Sequence, residues 1–377
     1  MDEWARHMRL GYLVSTRSGD SPQSLTEGPH PLFGAGGQMG LVNAANADAG
    51  DILVGRVGTV GSVRHVSQPV WATDNTIIVT PAPHVEPRWV AYLLQSSDLG
   101  SLASATATAQ PLISASEVRA TPCPAIDLEE QRRIADFLDD RVARIDQIIA
   151  ARDAQVELLD RLLLERMRSA VAGVIDPNRG HRSDALRWVE AIHEAAIVLP
   201  LSRVVTLQRG VDLTDGERRP GLAKVVTTAG VVGTHDQAIE PGPGVVIGRY
   251  GSVGNVHWVD GPYWPHNTTL YVRNDQGNEL RWLYYLLRTF PYGAMQARAA
   301  IPGVNRNDMA TELVAWIPPE RQRVSIRWLD RYEEVNTRRR SALRMSVKRL
   351  TEYRQSLITA AVTGQLDVTT AGRGVRG

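Results

Sequence analysis

Residues 128–173 read LEEQRRIADFLDDRVARIDQIIAARDAQVELLDRLLLERMRSAVAG, and this stretch decides the fold. Apolar residues fall at Leu138, Val142, Ile145, Ile149, Val156, Leu159 and Leu163. The steps of mostly four and three put them on one stripe of a long helix that needs a partner. Arg152 and Arg166 interrupt the stripe, and polar interruptions of this kind fix register at some cost in stability. A second copy runs from Pro319 to Gly364, with Leu329, Leu343, Val347, Leu350 and Leu357 in the same role. The copies close in SAVAG at Ser169–Gly173 and AAVTG at Ala360–Gly364, each on the residue that most often ends a helix.

The duplication reaches beyond the helices. RWVAYLL at Arg88 answers RWLYYLL at Arg281, and GRVGTVGSV at Gly55 answers GRYGSVGNV at Gly248, both at an offset of 193. Gln131 with Gln322, Leu138 with Leu329, and Gly173 with Gly364 stand 191 apart. Two small deletions explain the drift, and one is expected between Trp71 and Asn75, because Trp264 and Asn267 are a residue closer together. Arg17-Ser18-Gly19 sits opposite Gln208-Arg209-Gly210. Each repeat therefore reads as a globular unit followed by a long helix.

A chain of 377 residues with 43% hydrophobic content supports two or three packed domains. The single cysteine, Cys123, excludes a disulfide framework and a cysteine-rich zinc site. No apolar run approaches the roughly 20 residues that span a bilayer, and MDEWARHMRL has no signal-peptide core. A cytoplasmic protein without membrane partners is expected. The net charge of +1 is modest for a nucleic-acid binder, but it is unevenly placed. Asn336–Arg354 holds seven basic residues and one acidic, whereas Glu129–Arg168 holds ten acidic and eight basic. The two helices are expected to pair, basic against acidic, although solvated faces would carry the same charges.

Along the chain, Met1–Asp20 reads as a short leading segment and Ser21–Gly50 as loops and short strands. Asp51–Val54, Gly61–Val66 and Thr76–Val79 are β-branched runs bounded by glycine or proline, hence strands. Arg88–Gln95 is an amphipathic helix, and Ser96–Thr121 a loop with one short element containing Ile113–Val118. The second half repeats the plan with strands at Gly244–Arg249, Gly254–Val259 and Thr269–Val272, a helix at Leu280–Arg288 and a loop at Gly293–Thr311. Val174–Ser183 reads as linker, and Trp188–Ile197 as one more helix.

Catalytic apparatus is hard to find. The only lysines are Lys224 and Lys348, and neither follows glycine as a phosphate-cradling loop requires. The residues two before them, Leu222 and Ser346, exclude an acidic-x-lysine nuclease site. No Asn/Asp-Pro-Pro-aromatic motif of an adenine methyltransferase is present, since Pro318-Pro319 lies between Ile317 and Glu320. FGAGG at Phe33–Gly37 looks like a glycine-rich cofactor loop, but its counterpart TTAGVVG at Thr227–Gly233 lacks the spacing. The nine histidines show no metal-ligand spacing. What remains is a polar, glycine-lined loop presented twice: Arg56 with Thr59, and Arg249 and Tyr250 with Ser252. Such loops suit phosphate, with arginine neutralising charge and hydroxyl and backbone N–H groups donating. Asn75, Gln110, His266 and Asn267 could meet base edges, as could Asn305, Arg306 and Asn307 in the loop equivalent to Ile113–Ser116. The same glycines would also serve hairpins, and Asn75 and Asn267 would also cap turns.

Three stretches carry a resemblance. The RWVAYLL and RWLYYLL helices, the segments IDLEEQRRIADFLDD at Ile126–Asp140 and IPPERQRVSIRWLD at Ile317–Asp330, and the closing YRQSLITAAVTGQL at Tyr353–Leu366 together resemble the specificity (S) subunits of type I restriction-modification enzymes, over essentially the whole length. Family members usually carry Pro-Pro-x-x-Glu-Gln here. The first copy instead runs Ala125-Ile126-Asp127-Leu128-Glu129-Glu130-Gln131, and the second has Arg321 before Gln322. The resemblance implies an α+β fold: two pseudo-repeated globular target recognition domains, each followed by a long helix, the helices packing as an antiparallel coiled coil. The expected divisions are 1–127 and 200–318 for the recognition domains, 128–173 and 319–364 for the helices, 174–199 for a linker and 365–377 for a tail. It further implies that each domain reads one half of a split site on double-stranded DNA. Two methylation subunits, supplying S-adenosylmethionine chemistry, and restriction subunits using ATP and Mg would dock on a chain that holds no cofactor or metal. A specificity-like protein acting alone as a DNA-binding decoy remains the alternative.

Overall fold

The computed structural model describes residues 7–22, 26–100, 112–176, 178, 180–184, 186, 188–293 and 303–371. The chain forms two compact units: Met1–Asp153 with Arg344–Gly377, and Ala154–Leu343. Each long helix is thus shared, its two parts belonging to different units.

In the first unit a four-stranded antiparallel sheet has the order Val14–Ser18, Thr76–Pro81, Ile52–Gly55, Val63–His65. Ile52, Val54, Ile77 and Val79 point to one face, where helix α1 (Pro87–Ser96) lays Trp89, Val90, Leu93 and Leu94. Leu53 and Ile78 point to the other, against Phe33, Ala47, Val66, Val70 and Ala72. Burial on both faces explains why these strands read as continuous apolar runs although their side chains alternate. The second face is covered by a smaller sheet in which His30–Gly34 and Gly37–Val42 form a hairpin and Trp71–Ala72 joins in parallel. The leading segment is itself built into the unit, since His7–Arg9 pairs with Pro122–Pro124.

The second unit repeats this plan. Thr206–Arg209, Thr269–Asn274, Gly244–Gly248 and Val256–Val259 form the larger sheet, and Ala223–Thr227, Gly230–His235 and Tyr263–Pro265 the smaller. Val245, Ile247, Leu270 and Val272 face the cluster that holds Trp282 and Leu286, while Val246 and Tyr271 face Val226, Val259 and Tyr263.

Between Pro87–Ser96 and the first long helix lies a one-and-a-half-turn helix α2 (Ala115–Ala120). Helix α3 spans Leu128–Val171 and, after helix α4 (Leu280–Arg288) and the short helix α5 (Arg306–Thr311), helix α6 spans Pro319–Val362. Asp127 caps α3 by accepting from the Glu130 N–H at 2.8 Å. Gly173 and Gly364 end the two helices with φ of 84° and 75°, and Val174 N–H reaches back to Ser169 C=O, as a left-handed C-terminal glycine permits. In the first unit Ile134, Leu138, Val142 and Ile145 of α3 share a core with Leu357, Ile358, Ala361 and Val362 of α6. In the second, Leu163, Met167 and Val171 of α3 share one with Leu329 of α6. Early residues of one helix meet late residues of the other, so the pair is antiparallel. The unlike-charge expectation is met by Asp146–Arg354 in the first unit and Asp160–Arg340 in the second, both at 3.0 Å.

Three expectations are overturned. Trp188–Ile197 is not a helix: Ala191–His193 pairs with Gly180–Arg182, inside the stretch read as linker, and Ile197–Pro200 pairs with Leu313–Trp316. Strand pairing overrides the helix-forming composition of EAIHEAA, of which only a turn survives, with Ala196 N–H bonded to His193 C=O. The loop expected over Gly293–Thr311 contains α5, which forms because Asn305 caps it and Met309 is buried beneath it; residues 294–302 lie outside the described residues. Finally, no deletion separates Trp71 from Asn75. Arg56 N–H bonds to Asn75 C=O at 2.9 Å, and Arg249 N–H bonds to Thr268 C=O at 2.9 Å. Thr76 and Thr269 each bond back to Thr73 and His266. The offset is still 193 at this turn, so Asn75 corresponds to Thr268 and Asp74 to Asn267. It has fallen to 191 by Ile113 and Val304, which donate to the Arg56 and Arg249 carbonyls.

Candidate nucleic-acid interface

In each unit three loops meet at one end of the larger sheet. The first is the glycine loop. Gly55 N–H bonds to Ser62 C=O and Gly61 N–H to Gly55 C=O, with the same bonds at Gly248–Asn255 and Gly254–Gly248. A Cβ on Gly55 would stand 2.3 Å from Thr59 O, and one on Gly248 2.6 Å from Ser252 O, so only glycine lets this loop fold back on itself. The second loop is a hairpin tip. FGAGG closes the hairpin of Phe33 and Gln38, and Ser62 Oγ donates to Ala35 C=O at 2.6 Å; it is a turn, not a cofactor loop. In the second unit Thr227–Gly230 closes the equivalent hairpin, and Thr228 Oγ1 donates to Thr268 C=O at 2.9 Å. The third loop is the turn Ala72–Thr76 or Pro265–Thr269, tied to the first by the Arg56 and Arg249 bonds given above.

In the first unit these loops enclose a cleft of about 540 Å³ lined by Gly34–Met39, Val57–Thr59 and Thr73–Asn75. Thr59 and Asn75 are exposed on its walls, and the half-buried Arg56 is tied to Asn75 through its backbone N–H. Of the residues singled out from sequence, Arg56, Thr59 and Asn75 are therefore brought together. Gln110 lies outside the described residues. In the second unit Arg249 stacks 4.6 Å over the Tyr250 ring, and its Nε donates to Val304 C=O at 3.2 Å. The guanidinium is thus fixed on two sides, and its remaining N–H groups have no partner among the described residues. Ser252 and Tyr250 are exposed beside it. His266 Nδ1 lies 3.2 Å from Thr268 Oγ1, and Asn267 Nδ2 donates to Asp212 Oδ1 at 2.7 Å. Asn305 accepts from Asn307 N–H as the cap of α5. Arg306 is not part of this group: it lines a separate cleft of about 230 Å³ with Leu201, Val205 and Thr206.

Sequence reasoning passed over the hairpin residues. Met39 is 69% exposed on the cleft wall, and Val232, at the same position of the second unit, is 45% exposed. Arg64 stacks 4.9 Å over Phe33. Asp74 and Asp212 were also missed, because an acidic residue carries no signal for a polyanionic partner. Among the described residues no three His, Cys, Asp or Glu side chains are placed to hold a metal ion, and no helix is long and apolar enough to cross a membrane.

Helix α2 buttresses the glycine loop through the Ile113 bond, and its own stability is local. Ser114 Oγ accepts from Glu117 N–H, while the Glu117 carboxylate accepts from Ser114 N–H and Oγ. The hydroxyl first and the backbone second hold the Glu117 carboxyl below the usual range. A depressed carboxyl contributes stability above its unfolded value, roughly 4.3, and loses it as pH falls through the folded value. Ser114→Ala should cost about 1 kcal/mol at neutral pH and flatten the acid limb of the stability profile. Urea titration across the acid range measures both, and an unchanged limb would show that the box does not stabilise the helix.

Residues 8–158 match the model of the type I restriction modification DNA specificity domain. Over 111 residues the chain is 28% identical to the specificity subunit of the Escherichia coli type I restriction enzyme EcoprrI, a match covering 29% of this chain and 27% of that subunit. The chain thus aligns with about a quarter of the length of that curated relative. The S subunit of the M. genitalium type I restriction-modification system superposes with a TM-score of 0.45 at 15% identity, covering 95% of this chain and 96% of that one. A chain from a structure describing complex assembly and conformational transition of the type I R-M system superposes with a TM-score of 0.71 at 15% identity, covering 96% and 98%. That likeness extends to the whole chain and shows a shared fold. The family match thus covers residues 8–158 of the 377-residue chain.

Proposed function

We propose that the chain is the DNA-recognition subunit of a type I restriction-modification system, acting in the cytoplasm and itself non-catalytic. Residues 1–127 and 200–318 are its two target recognition domains, each reading one half of a bipartite site on double-stranded DNA. Residues 128–173 and 319–364 set the gap between half-sites and dock two methylation subunits, to which restriction subunits add. S-adenosylmethionine, ATP and Mg belong to those partners. The observation that carries this reading is the duplicated three-loop arrangement, with Arg56, Thr59 and Asn75 in one unit and Arg249, Ser252 and Thr268 at the same positions of the other. Arginine, hydroxyl and amide groups on glycine loops are the groups that meet phosphate and base edges. Adenine methylation mapping in cells that co-express the chain with its methylation subunit should reveal a motif of two short half-sites around a fixed gap, absent with that subunit alone. A stable complex that methylates no such motif would overturn the proposal.

A further inference from the structure

The corrected register places Asp74 of the first unit and Asn267 of the second at one position of the repeat, on the turn held by the Arg56 and Arg249 backbone bonds. Asp74 lines the cleft of the first unit, between Thr73 and Asn75. In the second unit Asn267 Nδ2 donates to Asp212 Oδ1 at 2.7 Å. The same oxygen accepts from Leu213 N–H at 3.2 Å and lies 3.6 Å from His266 Nε2. A carboxylate only accepts, so Asp212 fixes which way the amide points: its nitrogen toward Asp212, its oxygen away. One N–H and the Oδ1 of Asn267 have no partner among the described residues and are left for a ligand. That donor–acceptor pair is complementary to N7 and N6–H of adenine in the major groove. From the proposed function, we infer that Asn267 reads an adenine in the half-site of the second unit and that Asp212 is its positioning residue. The first unit presents at this position a carboxylate, which accepts from an amino group and donates nothing, so its half-site differs at the corresponding base.

The order built into the second unit supports this assignment. An exposed asparagine rotates its amide freely and gives up that freedom on binding. Here the amide is held before DNA arrives, by a group on a separate loop that the repeat does not duplicate, since Gly210 and Gly19 are equivalent and Ser21 stands where Asp212 does. Gly210 holds the loop against the turn: a Cβ there would lie 2.1 Å from His266 O.

The test uses the full chain co-expressed with its methylation subunit and reads the methylated motif. Asn267→Asp should abolish adenine preference at one base of one half-site, lowering discrimination there roughly 10- to 100-fold, with the other half-site and the gap unchanged. Asp212→Ala should broaden the same base, and Asp212→Asn, which keeps an acceptor, should restore it. The retained half-site reports folding and assembly of each variant. A wild-type bipartite motif that survives Asn267→Asp unaltered, or that broadens equally in both halves, would overturn this assignment alone. A wild type that yields no bipartite motif would overturn the proposed function, and this inference with it.

Discussion

Replacing Trp282 by alanine is expected to destabilise the second unit by about 4 kcal/mol. The indole is 0% exposed in the cluster that joins Val245, Ile247 and Leu270 of the sheet to Leu163, Met167 and Val171 of α3. Its Nε1 donates to Val171 C=O at 3.0 Å, three residues past the last charged side chain of that helix. The substitution therefore opens a cavity and strands a buried carbonyl at once. Its counterpart Trp89 is equally buried, but its Nε1 has no hydrogen-bond partner among the described residues. The pair separates the two contributions. Trp89→Phe and Trp282→Phe remove similar volume, and only the second breaks a bond, so the second should cost about 1–3 kcal/mol more. Thermal or urea unfolding of the three variants measures this; equal losses for the two phenylalanine variants would show that the indole bond contributes nothing.

The parts of this fold that are legible in the sequence are those where one period persists over many residues. The stripe from Leu138 to Leu163 follows helical spacing, and the structure buries Leu138, Val142, Ile145 and Leu163 on it. The glycine loops are legible for another reason: a Cβ at Gly55 or Gly248 would collide with backbone, so both copies keep the same residue. Short elements stabilised from outside are not legible. Residues 306–311 make too few turns to show a period, and their helix depends on the Asn305 cap and on Met309 in the core. Ile197–Pro200 becomes a strand only because Leu313–Trp316 is beside it. The site shows the same limit. Matching Asn75 with Asn267 by identity misplaces the turn by a residue, whereas the backbone bonds of Arg56 and Arg249 give its register directly. A glycine loop can be found by its residues, but the base-facing position beside it is found only from where the chain closes.

Gln322→Leu should cost the second unit about 2 kcal/mol or more, an effect that neither volume nor hydrophobicity would suggest. Gln322 is fully buried. Its Oε1 accepts from Glu279 N–H at 2.8 Å, and its Nε2 donates to Ile317 C=O at 2.8 Å and to Asn278 Oδ1 at 2.6 Å. One side chain thus satisfies the start of α4 and the end of the strand leading into α6. Gln131 does the same in the first unit, accepting from Glu86 N–H at 2.9 Å and donating to Ile126 C=O at 3.0 Å. This is the physical content of the glutamine shared by both copies: it clamps the globular part of each repeat to its long helix, next to Arg88 and Tyr92 on Asp139 and Arg281 and Tyr285 on Asp330. Leucine fits the volume but leaves Glu279 N–H and Ile317 C=O unpaired, at roughly 1–3 kcal/mol apiece, whereas Asn278 Oδ1 keeps the Trp316 Nε1 bond at 2.7 Å. Two groups are stranded at 322 and two at 131, so Gln322→Leu and Gln131→Leu should cost similar amounts. For a unit of this size each kcal/mol lowers the melting temperature by roughly 2–4 °C, and calorimetry of the two variants measures both losses. A leucine variant as stable as wild type would mean that water replaces the amide, and that the globular part is fastened to its helix by the ion pairs alone.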